Sequence, residues 1–344
     1  MVIRMIPRRH CKKALSDRRH CNVYLAACAP DGGVYHCTLA DQRLTVVKFY
    51  PLDRPMYLCI DGGKLWVLLR EPFPGSTDSG LMSFDIATDG SLENPTQPIH
   101  TDGRVACHLS AWGGKLYAVN YLSGNVVRFD ENGVDAMDTH EGRGQHPTRQ
   151  EAPHTHFVRP SADGKYLYAV DLGVDKIYTY DRELNVLSTA SVPAGEGCRH
   201  LDYSPDGRYI YCVNELGSSV TVFEAVGSEL RPLDTYPALP ADFDEKSTAA
   251  AIRVSEDGRT LYVSHRGHDS ICAFDITEGG KALASPVWTK VGGVSPRDFL
   301  IVGGTAIVTN EKTDNVTLFA VDGKRLHKLE QKLSMPGPLC VVAE

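Results

Sequence analysis

The stretch Arg199–Glu224, RHLDYSPDGRYIYCVNELGSSVTVFE, holds the plan of the whole chain. It opens on a short alternating run and turns at Asp206-Gly207, with a basic residue behind the turn. It returns through an apolar and aromatic run, turns again, and ends on a second alternating run. Alternation bounded by turn residues marks antiparallel strands joined as hairpins. The same design recurs at His154–Asp181 and Ala250–Asp275, and more weakly at Pro55–Ile86, Ala106–Asp130 and Pro296–Val321. A fourth, less regular run follows each copy, as at Val186–Val192. The second strands end at Leu69, Asn120, Asp171, Asn214, His265 and Asn310, spaced 43 to 51 residues apart. That is the period of one four-stranded propeller blade.

The two ends complete each other. Residues Asn22–Tyr50 offer three strands but lack the first of the repeat, and Pro336–Glu344 (PGPLCVVAE) resembles only that missing strand. Joined, they make a seventh blade and close the ring without an exposed edge. An all-β fold, a seven-bladed β-propeller of four-stranded antiparallel blades, is expected over residues 22–344. No helix-period segment of useful length interrupts it.

Composition agrees. The 344 residues include 31 Gly and 20 Pro, enough for frequent turns, and are 42% hydrophobic, enough for a large core. No run approaches the roughly 18 apolar residues of a membrane helix. A net charge of -7 argues against nucleic-acid binding. The exception is the segment 1–21, with seven Lys/Arg between Arg4 and Arg19. It lacks the apolar core of a secretory signal and reads as a disordered tail or a misplaced start. None of the ten cysteines forms a C-x-x-C pair, and Cys107, Cys212 and Cys272 interrupt apolar strand runs. Disulfide and zinc frameworks are therefore not expected, and the chain reads as reduced and cytoplasmic.

In a propeller, the start of each first strand and the end of each second strand meet on one face, near the axis. At the strand-one starts stand His108, His154, His156, Arg199, His200, Arg297 and Asp298; at the strand-two ends stand Asn120, Asp171, Asn214, Glu215, His265, Arg266, Asn310 and Glu311. The opposite face has routine turns at Asp163, Asp206 and Asp257. Taken singly, each polar residue has an ordinary explanation: a channel histidine bonds backbone, and a strand-end Asn caps its own turn. Taken together, His154 or His156, Arg199 with Glu215, and Arg266 form a cationic funnel suited to an anionic, oxygen-rich ligand.

The blocks PHTHFVRPSADGKYLYAVDLG (Pro153–Gly173), RHLDYSPDGRYIYCVNELGSSVTVF (Arg199–Phe223) and VSEDGRTLYVSHRGHDSI (Val254–Ile271) resemble the signatures of the bacterial propeller-type lactonases. That family includes 6-phosphogluconolactonases and the fungal 3-carboxy-cis,cis-muconate lactonizing enzymes. The resemblance runs from Asn22 to the carboxy terminus. It implies hydrolysis of a sugar δ-lactone, most simply 6-phospho-D-glucono-1,5-lactone, in the pentose phosphate pathway. It also implies a catalytic His, two Arg and a Glu, which fall on His154 (with His156 as alternate), Arg199, Arg266 and Glu215. His108, His156, Asn120, Asp171, His200, His265 and Arg297 are expected to line the substrate. His265 departs from the family, which often has Asn there.

Lactone hydrolysis needs an activated water, a stabilised oxyanion and a proton for the leaving ring oxygen. Arg suits the second task and His or Glu the others. No G-x-S-x-G elbow supplies a serine nucleophile. No metal or other cofactor is expected, since clustered cations oppose metal binding. A lactone-closing cycloisomerase, a metal-dependent gluconolactonase and a non-catalytic binding scaffold remain as alternatives. The expected partner is a small sugar lactone, with or without a phosphate, bound by a monomer or weak dimer, without nucleic acid or membrane.

Overall fold

The computed structural model describes residues 20–344. Of the basic segment 1–21, residues 1–19 lie outside the described residues, and the first strand starts at Cys21, one residue before the expected start of the propeller. Seven antiparallel sheets follow one another in chain order. Each innermost strand packs against those of both neighbouring blades, and the series closes on itself. Helix is confined to three 3₁₀ turns among the described residues.

Blade 1 is the shared one: Pro338–Ala343 lies innermost, followed by Cys21–Ala27, Gly33–Ala40 and Arg43–Pro51. The carboxy-terminal strand pairs with the first one, Val23 facing Ala343 and Ala27 facing Pro338, as expected from the sequence. Blades 3 to 7 begin at Ala106, Thr155, Cys198, Thr248 and Pro296, each with four strands. Blade 2 departs from the pattern. After Pro55–Asp61, Lys64–Leu69 and Gly80–Ile86, its outer strand is broken into Leu92–Glu93 and Ile99–His100. Pro95 and Pro98 fall in this stretch and cannot donate to a ladder. Thr96 replaces the missing rungs, its N–H donating to Ser83 O and its Oγ1 accepting from Ser83 N.

The second strands are buried on both faces, as YIYCVN (Tyr209–Asn214) shows, because each blade is sandwiched between two others. The core is therefore a ring of interblade layers. One joins Tyr211, Val213 and Val222 of blade 5 to Ile252, Leu261 and Phe274 of blade 6. The outermost strands face solvent, and Glu229–Pro237 buries only Leu230. The three clearest turns repeat one chemistry. Gly164, Gly207 and Gly258 take φ of 69°, 73° and 72°, which favours glycine. Before each glycine, an Asp carboxylate accepts from the hydroxyl of Ser161, Ser204 or Ser255.

At the opposite end, where first strands start, every blade carries a β-bulge. Pro55, Thr155, Cys198 and Pro296 face Leu69, Asp171, Asn214 and Asn310, and in each case the next paired residue lies two positions on. The skipped residues are Met56, His156, Arg199 and Arg297. Leu339, Cys107 and Ala250 hold the same slot in blades 1, 3 and 6, where blade 6 skips Ala251 as well. A bulge re-aims one side chain out of the ladder. This places one residue per blade around the mouth of the channel.

Candidate active site

A small, deep cavity at this mouth is lined by bulge residues: Met56, Cys107, His156, Arg199, Arg297 and Leu339, with Tyr57, His200 and Asp298. Polarity is segregated. Blades 4, 5 and 7 contribute His156, Arg199 and Arg297, whereas the other slots are apolar or thiol.

Glu215, directly after the second strand of blade 5, is the centre of the charge arrangement. Its side chain is only 3% exposed. Oε2 accepts from Arg199 Nε at 2.9 Å and lies 2.9 Å from an Arg266 terminal nitrogen, while Oε1 accepts from Arg149. Two of the guanidiniums are anchored by the neighbouring inner strand: Arg199 donates to Ala250 O and Arg266 to Ala249 O, each at 2.8 Å. Burial would push the Glu215 carboxyl up, but Arg266, Arg199, His156 and Arg149 outweigh it and hold it well below the usual carboxylate range. Burial and then the proximity of Arg266 bring Arg199 down to about 9.

Three imidazoles run from the mouth cavity down the channel. His200 lies 5.3 Å from His156 and 5.4 Å from His108, ring centre to ring centre. Burial, then nearby arginines, hold all three well below the ordinary histidine range, so each is neutral at pH 7. Arg199 has only N–H groups to offer and reaches His200 Nε2 at 3.1 Å, so His200 accepts there. His108 faces the far cavity, among Arg159, Asp202 and Arg253.

The sequence-based candidates thus separate. Arg199, His156, His200 and Arg297 line the cavity, and Glu215 and Arg266 stand directly behind it, joined to it through Arg199. His154 does not line the cavity: its ring stacks on Tyr121, and its nitrogens lie 3.1 Å from Tyr121 O and 3.2 Å from Glu151 Oε1. Asn120 is spent on Asn125 of its own blade and on Thr101 of the connection that leads into it. Asp171 accepts from His154 N and Gly173 N and bonds His140. His265 is fully buried with neither ring nitrogen partnered, and burial brings it down to about 3. Counting back from the turns would have favoured His156. It stands seven residues before Asp163, as Arg199 stands seven before Asp206.

Arg149 was not legible. It sits on the longest connection between blades, residues 140–154, which has no counterpart in the repeat. Buried Gln150 folds that connection, accepting from Gln145 N and His146 N and donating to Leu172 O. Asp171 joins its two ends through His140 and His154. Arg149 also donates to Tyr121 OH at 3.3 Å. Among the described residues no group of three or more His, Cys, Asp or Glu is placed to hold a metal ion.

Comparison with known proteins agrees with this architecture. A 6-phosphogluconolactonase of Bacillus subtilis is 36% identical over 257 residues, 70% of this chain and 73% of its own length. A periplasmic gluconolactonase of Pseudomonas aeruginosa superposes with a TM-score of 0.85 at 26% identity, covering 94% of this chain and 99% of the other. A protein of Lactobacillus plantarum gives the same score and coverage at 27% identity. The family model "Lactonase, 7-bladed beta-propeller" matches residues 22–343, and the chain belongs to that family.

Proposed function

We propose that the chain hydrolyses a sugar δ-lactone, and that 6-phospho-D-glucono-1,5-lactone, opened to 6-phosphogluconate in the pentose phosphate pathway, is its substrate. The observation that carries this reading is the buried Glu215 carboxylate, ringed by guanidiniums and tied through Arg199 to the mouth cavity that Arg199 and a neutral His156 line. The relatives named for sugar-lactone hydrolysis support the substrate class. In this reading a water oxygen adds to the lactone carbonyl carbon and the carbonyl oxygen takes the charge. The ring C–O bond then breaks. Arg199 is assigned to the oxyanion, where a fixed donor in a dry site is typically worth about 3–4 kcal/mol. Glu215 accepts the proton the water loses, and His156 helps return it to the ring oxygen. His156 takes this role in place of His154, whose ring is engaged by Tyr121 and Glu151. A cytoplasmic setting fits the nine cysteines of the described residues, all free thiols.

The test is hydrolysis of phosphorylated and unphosphorylated gluconolactone side by side, each corrected for its spontaneous rate. Saturable turnover of the phosphorylated lactone is expected. Turnover of neither lactone would refute the reading.

A further inference from the structure

Both oxygens of Glu215 are occupied, and the three cations that occupy them are not equivalent. Arg199 and Arg266 sit at the ends of core strands, and each guanidinium is also tied to a backbone carbonyl. Arg149 comes from the connection 140–154, its side chain is 36% exposed, and its other bond is a 3.3 Å contact with a tyrosine hydroxyl. Oε2 is taken by Arg199 and Arg266, while Oε1 carries the single bond from Arg149. Oε1 is therefore where a water can be received, and the cation against it both crowds that approach and weakens the carboxylate as a base. Arg149 is the most exposed of the three caps, against 15% for Arg266 and 3% for Arg199, and the one held by a loop.

We propose that Arg149 is a displaceable ligand of Glu215, and that an anionic substituent on the lactone draws it away and clears Oε1 for the attacking water. This rests on the reading of Glu215 as the base. A phosphate suits the exchange because a guanidinium binds it through two parallel N–H bonds. Losing one of its cations also makes the carboxylate a better proton acceptor. The charge on the substrate then works in the chemical step, and selectivity for the phosphorylated lactone appears in kcat as well as in KM.

Two measurements test this. In the first, kcat is compared for 6-phosphogluconolactone and glucono-1,5-lactone. The unmodified chain should favour the phosphorylated substrate by about tenfold or more. In Arg149→Ala the kcat for the unphosphorylated lactone should rise and the ratio fall to about twofold or less. In the second, inorganic phosphate is titrated calorimetrically. Glu215→Gln, once shown by its melting curve to be folded, should bind phosphate several-fold tighter than the unmodified chain, because the competing carboxylate is gone. Arg149→Ala should bind it more weakly. An unchanged kcat ratio in Arg149→Ala would overturn the proposal, as would phosphate affinity indifferent to Arg149→Ala. If the unmodified chain turned over neither lactone, the lactonase reading would fall, and the phosphate titration would still decide whether Arg149 exchanges partners.

Discussion

Arg199 and His156 owe their place to one backbone irregularity, and their chemistry follows from it. Each is the skipped residue of a bulge, turned out of the ladder and into the cavity. Arg199→Lys keeps a positive charge but loses the planar fork that meets Glu215, Ala250 O and His200 together. It should lower kcat by about 10²-fold, the scale of one lost oxyanion donor, with a smaller change in KM. Assignment of the histidine is tested by a pair of variants. His156→Gln should cost about 10²-fold or more in kcat, the low end for a positioned acid or base. His154→Gln should disturb the Tyr121 stack and reduce the rate far less, and the reverse order would return the role to His154. The type of residue needed was legible in the sequence. The choice between two histidines two positions apart depends on strand register, which becomes visible only when the blades are aligned on their turns.

Strands and turns were the most legible elements, because Ser-x-Asp-Gly turns and period-two alternation are local signals. The connection 140–154 was opaque for the opposite reason: its shape is set by Gln150 and Asp171 acting across the chain. Gln150 is fully buried and satisfies three backbone groups of the connection and its neighbour. Gln150→Ala strands those groups and should destabilise by about 1–3 kcal/mol. Limited proteolysis should then cut within residues 141–149 faster than in the unmodified chain. Equal cleavage rates would show that Gln150 does not hold the connection.

At the scale of the whole molecule, closure and pH dependence are the properties to test. The closing strand Pro338–Ala343 contributes buried Leu339, Cys340 and Val341 and covers the edge of Cys21–Ala27. Removing it should lower the melting temperature and promote association through the bared edge, and an unchanged melting temperature would refute closure as a source of stability. Three neutral histidines in the channel make stability pH-dependent. Unfolded, they take up protons below about pH 6.5; folded, burial keeps them neutral to much lower pH. The unfolded chain binds more protons in that window, so their contribution is fully present above about pH 6.5 and is lost as pH falls. The melting temperature should therefore drop between pH 7.5 and 5.5, and His108→Gln should flatten that slope.

Turnover and melting temperature of Glu215→Gln, measured on one folded sample, test the central claim that a caged carboxylate directly behind the mouth cavity does the chemistry. The substitution keeps the shape and removes the charge that three arginines surround. A lower melting temperature is expected in any case, because it leaves buried cations without their partner. If Glu215 is the base, turnover of 6-phosphogluconolactone by the folded variant falls by about 10²–10⁴-fold. A folded variant with near-normal turnover would contradict the account and leave Glu215 as a structural anchor for its arginines.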